Sequence, residues 1–76
     1  QPNDPLERFP FIEGYAHQGQ WDRAVPLTEE SAAITPVVHP ALCKLWDRID
    51  RETPDSTEKR EAIQQAVGSL TCELEQ

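Results

Sequence analysis

Apolar residues in the second half of the chain recur at the spacing of a helix. Leu42, Leu45, Trp46 and Ile49 fall at i, i+3, i+4 and i+7. They form one stripe along an amphipathic helix from about Pro40 to Glu52. Lys44, Asp47, Arg48, Asp50 and Arg51 occupy the other face with alternating sign, as a solvated face does. Thr53-Pro54-Asp55-Ser56 is a turn, and Asp55 or Ser56 is placed to cap a last helix in which Ile63, Ala66, Val67 and Leu70 repeat. Residues 40–70 are therefore expected to form a helical hairpin.

The first half is broken by proline. Gln1-Pro2-Asn3 reads as a flexible tail. Asp4, Pro5 and Glu7 carry the signature of a helix start, but Pro10 allows only about one turn before a restart. A short helix is expected over residues 11–18, with Phe11 and Tyr15 on one face and Gly19 as a left-handed cap. Pro26 should interrupt a turn beginning at Trp21. Thr28-Glu29-Glu30 then opens another short helix, with Leu27 and Ala32 as a hydrophobic staple, closed at Thr35-Pro36. Val37-Val38 lies between Pro36 and Pro40 and is too short for a strand. The expectation is a single small all-α domain over residues 1–76, with two or three short N-terminal helices packed on the hairpin.

Size changes this picture. A chain of 76 residues with 37% hydrophobic content is close to the limit at which one core suffices, so a covalent staple would help. Cys43 and Cys72 are the only cysteines, and joining them would stabilise the fold by about 3–4 kcal/mol in the chain-entropy model. Geometry makes that bond conditional. On an unbroken helix to Glu75, Cys72 would face away from Ile63 and could not approach Cys43. A break at Gly68-Ser69, or early helices packed between the cysteines, resolves the conflict. A cysteine pair in a small chain that starts at glutamine rather than methionine fits a processed, exported protein, periplasmic or secreted, whose precursor carried a signal peptide or lipid anchor. The alternative is a cytoplasmic fragment with two free thiols.

Charge and motifs narrow the function mainly by exclusion. Fourteen acidic against seven basic residues give a net charge of −7, which argues against nucleic acid. No apolar run spans a membrane. His17, His39, Cys43 and Cys72 lack the close paired spacing of structural zinc modules, so no metal is expected. No cofactor loop and no catalytic constellation are legible, and Glu29/Glu30 read as helix-start residues rather than acid/base partners.

Tyr15, Gly19, Trp21 and Ala24 resemble the centre of a tetratricopeptide repeat, and Pro36 falls where such a repeat often ends. The resemblance implies a helix-turn-helix and a peptide-binding role. Pro26 inside the second helix and Ser31 at a position usually held by alanine depart from it, and no second copy follows at about 34 residues.

Phe9, Phe11, Tyr15 and Trp21 cluster in the proline-broken half and are the candidate partner-contact residues; otherwise they complete the small core. The expected function is a non-enzymatic accessory protein docking on a larger protein, such as a secretion or assembly component. An acidic inhibitor or immunity-type protein against a basic enzyme is one alternative, and a structural domain excised from a larger cytosolic protein is another.

Overall fold

A computed structural model describes residue 4, residues 6–68, and residues 70 and 72. Among the described residues four α-helices follow one another: α1 (Phe9–His17), α2 (Trp21–Ile34), α3 (His39–Glu52) and α4 (Thr57–Gly68). A 3₁₀ turn, Pro36–Val38, links α2 to α3. The fold is all-α, two N-terminal helices packed on a C-terminal helical pair. The tail expected at residues 1–3 and the expected helical position of Pro5 lie outside the described residues.

Two prolines expected to break helices are absorbed by them. Pro10 sits in the first turn of α1, where its missing N–H would have lacked a partner anyway, so α1 does not restart after it. The Asp4 start is only a turn, in which Leu6 N–H donates to the Asp4 carboxylate at 3.0 Å. Pro26 lies inside α2, which runs unbroken from Trp21. The expected restart at Thr28 and its staple are therefore corrected: Leu27 and Ala32 lie in one continuous helix, each packed partly against the core. Pro26 faces solvent, where the carbonyl it leaves unbonded can be hydrated.

Other boundaries follow local chemistry. Gly19, at φ 76°, closes α1 in a Schellman motif: Gly19 N–H donates to Ala16 C=O at 3.0 Å and Gln20 N–H to Tyr15 C=O at 2.9 Å. Thr35 is extended and ends α2, its hydroxyl accepting from Val37 N–H. Ser56 is the cap of α4, accepting from Lys59 N–H at 3.0 Å.

The core joins Ile12 and Ala16 of α1, Ala24 and Val25 of α2, and Leu42, Leu45, Trp46 and Ile49 of α3. From α4 it takes Ala62 and Ala66, with Leu70 beyond the helix end. Ile63 and Val67, expected at the centre of the α4 stripe, are only partly buried. Ala66 and Leu70 of the expected stripe are buried, and Ala62 joins them, as α4 packs on α2 as well as α3. Lys59 continues that stripe, buried yet satisfied. Its Nζ donates to Asp50 C=O at 2.7 Å and Thr53 C=O at 2.8 Å, and pairs with the Asp50 carboxylate at 3.0 Å.

Cys43 and Cys72 stand at disulfide distance, with Cα atoms 5.8 Å apart. α4 ends at Gly68, and Leu70 N–H donates to Val67 C=O at 3.0 Å, a turn that re-aims the chain toward α3. This is the break that a Cys43–Cys72 bond requires, although Ser69 itself lies outside the described residues. No helix among the described residues is long and apolar enough to cross a membrane.

Candidate interaction groove

An open groove of about 320 Å³ runs beside the contact between α2 and α4. Trp21, Val25 and Pro26 come from α2 and Ala62 from α4, giving an apolar floor. Asp22 and Glu29 stand on the α2 wall, and Glu58 and Glu61 on the α4 wall. All four carboxylates are exposed. Asp22 and Glu58 occupy first turns, where the helix dipole favours negative charge.

Ion pairing isolates this groove. Elsewhere, Arg8 pairs with Glu30, Arg48 with Glu13, Arg51 with Asp47, Lys59 with Asp50 and Arg60 with Asp55. Arg23 lies over the Tyr15 ring, 5.9 Å from its centroid. Among the described residues no basic side chain lines the groove, and none of its four carboxylates joins an ion pair.

A second polar cluster joins α1 to α3. Glu13, His17 and Glu52 place ligand-type atoms within 4.8 Å of one another, a grouping that the spacing of histidines and cysteines did not reveal. Its members are already spent on each other and on a cation of the chain. Arg48 Nε donates to Glu13 at 3.0 Å, and His17 Nε2 lies 3.3 Å from Glu52. The hydrogen bond from Arg48 to Glu13, and then the charge of Glu13, hold the Arg48 guanidinium above its ordinary range, and Glu52 adds to this. The arrangement is an interhelical charge network, with Arg48 supplying the positive charge. His39, one of the four residues weighed as metal ligands, donates from Nε2 to Ala32 C=O at 3.3 Å, near the end of α2.

The four aromatic contact candidates separate. Phe11 is exposed, with 60% of its surface accessible, and Phe9 packs partly against the core. Tyr15 is half-buried beneath Arg23. Trp21 alone joins the groove, and its ring meets Trp46 at 6.1 Å between centroids. Sequence reasoning missed Asp22, Glu58 and Glu61 because each looks like an ordinary solvated helix residue. Only the approach of α2 to α4 puts them around one apolar floor.

Comparisons with protein families, curated proteins and solved structures returned no match. The α1–α2 helix-turn-helix accounts for the tetratricopeptide-like spacing of Tyr15, Gly19, Trp21 and Ala24 without any family assignment.

Proposed function

We propose that this protein is a non-enzymatic interaction module, exported to a periplasmic or secreted setting, that docks on a larger protein through the α2–α4 groove. The observation that carries this reading is the apolar floor flanked by four carboxylates that, among the described residues, join no ion pair. Four carboxylates around one groove make its local potential negative, and a positively charged partner would offset it. Trp21 supplies an aromatic anchor of the kind that dominates interface energetics. The cysteine pair supports export, since such bonds persist in oxidising compartments.

The test is site-specific photo-crosslinking in the native source. A photoreactive residue at Gln65, on the groove, should yield a protein adduct that the same residue at Lys44, on the exposed face of α3, does not. Equal adducts from both positions, or none from Gln65, would count against docking here.

The same carboxylates favour a second reading, an inhibitor of a basic enzyme. The two differ in what capture does: an inhibitor abolishes the activity of the enzyme it binds, whereas a docking module leaves its partner active, and an assay of the captured partner distinguishes them.

A further inference from the structure

Resting on the docking reading above, we infer that the occupant of the α2–α4 groove is a basic amphipathic helix of the partner. It seats an apolar stripe on Trp21 and Pro26 and sets lysine or arginine against the flanking carboxylates.

The form of the occupant follows from the walls. Trp21, Val25 and Glu29 recur at i, i+4 and i+8 on α2, and Glu58, Glu61 and Gln65 at i, i+3 and i+7 on α4. At 1.5 Å per residue each wall extends over roughly 10–12 Å, about two helical turns. Two helices side by side leave a trough between their ridges, into which the ridge of a third helix fits. An extended peptide gains affinity mainly from main-chain hydrogen bonds to a sheet edge, and the described residues are helical and offer no such edge. A small apolar ligand would want most of its surface covered, which an open trough does not provide.

The charge of the occupant follows from the rim. Asp22 and Glu29 line the groove on one side and Glu58 and Glu61 on the other, and among the described residues no basic side chain lines it. A second copy of this chain, at net charge −7, meets that rim with repulsion. A helix with an apolar stripe and cationic shoulders matches both features.

The probe is a capped peptide of about 16 residues with leucine at i, i+3, i+4 and i+7 and lysine on both shoulders. It is titrated into the intact disulfide-bonded protein by calorimetry and by amide NMR. Saturable one-to-one binding is expected, with shifts centred on residues 21–29 and 58–65 and a gain of peptide helicity. Glu58→Gln with Glu61→Gln should weaken binding by about 10-fold, since two rim charges at about 0.7 kcal/mol each amount to one decade. The charge-matched pair Glu7→Gln with Asp47→Asn, away from the groove, should weaken it by less than about twofold.

The inference is overturned if both double variants lose affinity equally, or if shifts map elsewhere. It is also overturned if an alternating leucine–lysine peptide binds as well, or if the groove proves to hold a second copy in sedimentation experiments. A peptide that fails while the Gln65 adduct appears removes the helix and leaves the docking reading standing. Failure of both removes both.

Discussion

Thr28 is a residue whose deletion should be felt far beyond its size. Fully buried, it accepts from Trp46 Nε1 at 2.8 Å and donates to Ala24 C=O at 2.9 Å, so one hydroxyl serves both α3 and α2. Thr28→Val keeps the shape but strands the indole N–H in the core, with an expected loss of about 1–3 kcal/mol. Thr28→Ser, which retains the hydroxyl, should lose distinctly less; thermal unfolding of the two variants checks the difference. Lys59 works in the same way at the end of α3, its ammonium closing the carbonyls of Asp50 and Thr53. Lys59→Met preserves the packed stem and removes those bonds, so denaturant unfolding should report a loss of about 2–3 kcal/mol.

At the scale of elements, α2 carries the clearest internal conflict. Pro26 removes one helical hydrogen bond inside a 14-residue helix, a cost of about 3 kcal/mol in an isolated helix that packing offsets here. Pro26→Ala should therefore stabilise the protein by about 1–3 kcal/mol in denaturant unfolding. At the other junction, Gly19→Ala should cost about 1–2 kcal/mol, because φ 76° penalises any Cβ even where space is open.

These two residues also show what the sequence could and could not disclose. Gly19 announced its role through local chemistry, as did Ser56 and the Leu42–Ile49 stripe. Pro26 misled because a local rule was overridden by the burial of Ala24, Val25, Thr28 and Ser31 on one face. On α4, Ile63 drew attention by its size, while Ala62 is the more fully buried of the two. The groove was invisible for the same reason, because its walls are brought together only by tertiary packing.

For the molecule as a whole, the Cys43–Cys72 link joins α3 to the segment after α4 and closes a loop with a sequence separation of 29. Replacing both cysteines by serine should lower stability by about 3–4 kcal/mol, a shift in melting temperature of roughly 10–30 °C for a domain this small. Surface ion pairs contribute far less, so added salt should move the melting temperature little by comparison. The two tryptophans have a consequence of a different kind. Trp46 is sealed in the interior and Trp21 lines the groove, yet their rings stand 6.1 Å apart at 35°. The chain thus contains a matched pair of chromophores, one sheltered and one at the surface, close enough to exchange excitation. Light emitted by this pair would register an arriving guest and the integrity of the interior at once, with no dye attached.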